Sequence, residues 1–144
     1  AALAVLLHDP QRRWVVGTDM DVTLRDGRRP TVRRPDVVVA SRASVQRDRA
    51  PLPESRLLVG EPLLVAEIVS ASSVERDLVT KRREYALAGI PAYLVVDLRF
   101  EPGQLTLYAQ RGEDGLYVDV PPTDSVIVQI NGVDIPISVA DLTP

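Results

Sequence analysis

Two stretches of the chain are apolar at almost every position, LLVAEIV at 63–69 and AYLVVDL at 92–98, and a charged segment with helical spacing lies between them. Unbroken apolar runs of this length suit strands that are covered on both faces. Between them, Ser72 followed three residues later by Glu75 matches the capping-box pattern, in which each side chain satisfies a free backbone amide of the other residue. Gly89 and Pro91 mark the helix end, since glycine accepts the left-handed conformation and proline cannot continue a helix. A strand, helix and strand in this order predict a right-handed crossover between neighbouring parallel strands.

Upstream, residues 2–7 read as the end of a helix, and Trp14–Leu24 alternates partly as one strand. Asp26-Gly27 predicts a tight turn. PDVVVAS is a β-branched run entered through Pro35, a residue tolerated at a strand's first position or on an edge, so Asp36 stands at the strand's beginning. Residues 42–62 are polar with three prolines and predict a long surface loop. Downstream, QLTLYAQ, LYVDV, SVIVQI and DIPISV, separated by Gly, Asp and Pro, predict a meander of short antiparallel strands. The whole is an α/β or α+β domain on a mixed central sheet flanked by helices, without repeats or heptads.

The helix carries Lys81, the only lysine of the chain. At about 100° per residue, Val74, Leu78, Lys81, Tyr85 and Ala88 share one stripe. That stripe is otherwise suited to face the sheet, so Lys81 is directed inward or toward a sheet edge. An isolated inward ammonium is costly and needs acids or a polar cleft. Asp36 and Glu67, both on strands, are the carboxylates on offer, and Glu67 within so apolar a strand needs a cation or donors of its own. If their strands are neighbours, Asp36, Glu67 and Lys81 converge. Two carboxylates with open positions form a hard oxygen site suited to Mg²⁺ or Mn²⁺. Lys81 would then orient the attacking water or offset charge on a phosphoryl group. Plainer accounts stand beside this one. Asp77 and Lys81 are spaced for a helix-surface ion pair, which contributes a few tenths of a kcal/mol and leaves the apolar stripe unexplained. Glu67 as an edge-strand charge and Asp36 as a turn cap complete the alternative.

Composition narrows the choice. The 144 residues fit one domain, 1–144, able to bury a core without staples. The chain has no cysteine, which excludes thiolate metal sites and fits a reducing compartment, with the cytoplasm as default. The opening AALAVLLHDP is too short to span a bilayer, so no membrane role is expected. With no initiator methionine and an apolar helical run at residue 1, a natural N-terminal segment is expected to be missing. A formal charge of −3 argues against a protein that coats nucleic acid through its overall field. Local basic patches remain: Arg25, Arg28, Arg29, Arg33 and Arg34, and the run Lys81-Arg82-Arg83, read either as solvated surface or as phosphate contacts. His8, the only histidine, sits at a helix end and reads as structural; no Gly-x-Ser-x-Gly or phosphate-cradling glycine loop occurs.

With Pro35-Asp36, Glu67 and Lys81 in place, the chain resembles the PD-(D/E)XK nuclease superfamily, and more closely the bacterial Uma-two family of restriction-endonuclease-like proteins. RRPDVVV, residues 63–98 and LTLYAQRGEDGLY carry the likeness, through Glu67 with Ser70, then Asp77, Lys81, Tyr85, Gly89-Ile90-Pro91 and Val96-Asp97. The superfamily's usual lysine lies two residues after the glutamate, where this chain has Val69; the resemblance implies that Lys81 replaces it from the helix. It implies Asp36, Glu67 and Lys81 as catalytic residues, the two acids as ligands of Mg²⁺ or Mn²⁺, and Ser70, Asp77 and Tyr85 as supporting residues. Tyr85 itself reads as a core residue with its hydroxyl at the rim of the site. It further implies metal-dependent hydrolysis of DNA phosphodiesters, and a homodimer to cut both strands. It also implies a further N-terminal strand, helix and acidic residue. A nuclease-fold scaffold or nucleic-acid-binding module without catalysis is the rival from another class.

Overall fold

The computed structural model describes residues 2–18, 20–24, 31–47, 57–59, 61–69 and 75–142, with the side chains of 46–47, 57–59 and 75–77 left aside. In chain order the elements are α1 (Ala2–Leu7), β1 (Trp14–Gly17), β2 (Met20–Leu24), β3 (Thr31–Arg33), β4 (Val37–Ser41), β5 (Val45–Arg47), β6 (Leu57–Val59), β7 (Pro62–Val69), α2 (Glu75–Leu87), β8 (Tyr93–Asp97), β9 (Gln104–Tyr108), β10 (Ser125–Ile130), β11 (Val133–Ser138) and α3 (Val139–Leu142). The fold is α+β on a mixed five-stranded sheet in the order β1-β4-β7-β8-β9, with β7 and β8 parallel and the other neighbours antiparallel. The β7–α2–β8 crossover stands as its apolar runs predict, and Gly89 closes it at φ 82°, a conformation costly to a residue with a Cβ.

Alternation along the central strands divides the interior in two. Val37, Val39, Leu64, Ala66, Leu94 and Val96 point to one face, where Leu3 and Leu7 of α1 and Val128, Ile130 and Ile137 of the β10–β11 hairpin cover them. Val38, Ala40, Val65 and Tyr93 point to the other face, beneath Tyr85 and Ala86 of α2 and Met20, Val22 and Leu24 of β2. Covering on both sides is why β4 and β7 can be apolar at most positions. The β10–β11 hairpin turns through Asn131 and Gly132, both at positive φ, the backbone that matches strand twist in a two-residue loop.

Several sequence expectations are corrected. Trp14–Leu24 is two strands: β1 joins the central sheet, whereas β2 joins a second sheet in the order β3-β2-β6-β5. The apolar alternation runs on across the junction and does not register the change of sheet. Residues 42–62, expected as loop, contain β5, β6 and the start of β7; β5 pairs with β6, and β6 pairs with β2, which is remote in sequence. LYVDV is not a strand; Tyr117 makes a single bridge to Arg111 and is buried, while Val118 and Val120 are exposed. The Asp26-Gly27 turn and the Ser72 cap lie outside the described residues.

Candidate active site

The site is built by register. β4 pairs antiparallel with β7, Val37 opposite Ala66, so Asp36 just before β4 falls beside Glu67. Side chains alternate across a strand. Asp36 shares the face of Val38, and Glu67 that of Val65, which is the face covered by α2. Lys81 reaches Glu67 from that helix, while Asp36 adjoins Glu67 from the neighbouring strand. The structure therefore brings Asp36, Glu67 and Lys81 together.

Glu67 is the buried member, 6% exposed. Its Oε1 accepts a hydrogen bond from the Tyr85 hydroxyl at 2.8 Å and lies 3.7 Å from Lys81 Nζ. Tyr85 and Lys81 stand four apart on α2, one turn of helix, and so reach the same oxygen. Asp36 is at the exposed mouth, its Oδ2 accepting from the Ile68 amide at 2.6 Å. Burial pushes the Glu67 carboxyl above the ordinary carboxylate range; the Tyr85 hydroxyl and then Lys81 oppose this, and the neighbouring Asp36 carboxyl adds to it. Burial, followed by the field of Glu67, holds the Tyr85 phenol far above its usual value, so it remains a donor.

These residues fit a hard divalent cation. The acids are oxygen donors on neighbouring strands, and among the described residues Glu67 is paired with one cation, Lys81. A cation between them would favour both ionised forms, and its remaining positions would go to water and substrate. No group of three or more His, Asp or Glu side chains suited to a metal occurs among the described residues.

Of the supporting residues, Ser70 lies outside the described residues, as does the side chain of Asp77, so the Asp77–Lys81 pair does too. Tyr85, expected in the core with its hydroxyl at the site, is fully buried; its ring packs edge-on against Tyr93, with centroids 5.1 Å apart, and its hydroxyl is turned into Glu67. Of the arginine-rich stretch, Arg33 forms a two-pronged pair with Glu84 of α2 at 2.7 and 2.8 Å, and Arg34 pairs with Asp21 at 2.8 Å. The Arg33 pair ties the segment leading into Asp36 to the helix that carries Lys81. Spacing within either segment carries no signal of a contact across 51 residues. Arg82, next to Lys81, instead leans on Tyr108, donating to its hydroxyl at 3.2 Å.

No curated protein matches the chain. Among solved structures, a putative nuclease belonging to DUF820 from Anabaena variabilis aligns with a TM-score of 0.59 at 12% identity, over 98% of this chain and 73% of that one. At that identity the likeness concerns the fold alone. The profile of the Uma2 (Uma-two) family, described as "Putative restriction endonuclease", matches residues 1–138, and the chain belongs to that family.

Proposed function

We propose that the chain hydrolyses phosphodiester bonds of DNA with a divalent cation, Mg²⁺ or Mn²⁺, held by Asp36 and Glu67. The observation that carries this reading is the meeting of a buried, hydrogen-bonded glutamate, an aspartate and the chain's only lysine on one face of the central sheet. Family membership supports it. In this reading Tyr85 fixes the Glu67 carboxylate, so that the acid pair is ordered before substrate arrives. A divalent cation bound there supplies charge neutralisation and polarisation of the phosphate. Lys81, partly exposed beside Glu67, presents its ammonium to the attacking water and to the charge growing on the phosphoryl oxygens. A homodimer making two cuts, in the cytoplasm, belongs to the same reading.

Nicking of supercoiled plasmid in Mn²⁺ tests it. Lys81→Met removes the charge and keeps the stem. Loss of one such electrostatic contact costs roughly 100- to 1,000-fold in rate. Parent nicking that falls by that factor in Lys81→Met, with circular dichroism unchanged, is the expected result. Equal nicking by the two proteins, or none by the parent, overturns the reading.

A further inference from the structure

Beside the acid pair, on the same face of the sheet, α2 and strands β8 and β9 enclose a cleft of about 190 Å³ lined by Arg82, Tyr93, Asp97, Arg99, Thr106 and Tyr108 among others. We propose that this cleft is a phosphate-binding subsite, which holds a phosphate of the nucleic-acid strand flanking the one at Asp36 and Glu67. The inference rests on the nuclease reading for the identity of the strand, but its chemistry, recognition of a phosphate oxyanion, stands on the cleft itself.

Three features carry it. First, Tyr93 is fully buried, and its hydroxyl is the buried side-chain polar atom without a hydrogen-bond partner among the described residues. An unpaired buried donor is costly, and phenylalanine would fill the same space without that cost. A tyrosine kept there is accounted for by an acceptor that arrives with a ligand. Second, Arg82 is held over the Tyr108 ring, 5.3 Å from its centroid, and its ion pair at 3.3 Å is with Asp119, whose side chain is 87% exposed. A pair with so exposed a carboxylate contributes little and is readily exchanged for a phosphate, whose oxygens match the guanidinium fork. Third, the cleft is in line with the acids. Glu67 is in register with Val95 of β8, and Val95 with Thr106 of β9. Strand spacing puts the cleft roughly 5–10 Å from the Glu67 strand, the scale of a nucleotide step or two. Arg99 adds a second cation at the cleft, fixed by Asp97 through bonds of 2.8 and 3.0 Å.

The test uses the full chain in EDTA, with inorganic phosphate as one probe and a fluorescein-labelled DNA duplex as the other. Phosphate titrated into ¹⁵N-labelled protein is expected to shift amides of β8, β9 and the middle of α2. Arg82→Gln should weaken phosphate binding at least tenfold, and Tyr93→Phe several-fold while leaving the fold at least as stable. With the duplex, Arg82→Gln should lower the slope of log affinity against log salt by about one. Unchanged binding of both probes by the two variants, or phosphate shifts confined to other elements, overturns the subsite. A parent that binds phosphate here yet nicks no plasmid keeps the subsite and removes the nuclease reading. A parent that nicks, with cleft variants of unaltered KM and phosphate affinity, does the reverse.

Discussion

Replacing Tyr85 by phenylalanine removes one oxygen atom and isolates what holds Glu67. The ring stays, with its edge-on contact to Tyr93, so no cavity opens. What disappears is a 2.8 Å hydrogen bond between two buried groups. A hydrogen bond to a charged partner contributes about 1.5–3 kcal/mol, and one between neutral groups about 0.5–1.5 kcal/mol. The cost therefore depends on whether Glu67 is ionised. Its folded-state pKa is raised above the unfolded value. As pH rises through the unfolded value, the unfolded chain releases this proton while the folded chain retains it, so stability falls until the folded pKa is passed. Loss of the hydroxyl removes an influence that lowers that pKa, and so extends the window upward. Urea unfolding in EDTA, followed by the fluorescence of buried Trp14, the single tryptophan, should show Tyr85→Phe less stable by about 1.5–3 kcal/mol at pH 8 and by about half as much near pH 4. A variant as stable as the parent at pH 8 would refute the role of the hydroxyl. An equal cost at both pH values would refute the dependence on charge.

Two further perturbations probe the frame around the site. Arg33→Ala breaks the two-pronged pair with Glu84; both side chains are partly exposed, so the expected loss is about 1 kcal/mol, and a double-mutant cycle with Glu84→Ala should return most of it as coupling. Asp9 is held down to about 2, by the Arg13 side chain first and then by the amides of Arg13 and Gln11, against the opposing effect of burial. Its folded pKa is depressed, so its contribution is complete above the unfolded value near 3.8 and is lost as pH falls toward 2. Asp9→Asn should flatten the acid limb of the stability curve in that window, as read by thermal melts from pH 2 to 5.

The part of the fold that builds the site was legible because its signals are local and strong. Two strands apolar on both faces, a charged helix between them and the Gly89-Pro91 stop specify the β7–α2–β8 unit. The acid pair follows from Pro35-Asp36 leading into a β-branched run and from Glu67 interrupting an apolar one. Lys81 betrays itself by lying on the stripe of Tyr85. What the sequence left unread is non-local. Nothing between Gly17 and Met20 announces that the chain leaves one sheet for another, because inward and outward alternation is the same in both. β5 and β6 are three residues each and find their partners only through folding. Tyr93 reads as one more apolar-run residue, yet its unpaired hydroxyl depends on which rings surround it. Arg33 looks like one of several arginines on a basic stretch, and only the packing of α2 against the second sheet pairs it with Glu84.

Anomalous diffraction from crystals soaked in Mn²⁺ tests the acid pair most directly. One strong peak within about 2.0–2.6 Å of carboxylate oxygens of both Asp36 and Glu67, absent from Glu67→Gln crystals soaked alongside, is the expected result. A peak elsewhere, or one that survives Glu67→Gln unchanged, would contradict a cation site between these two strands.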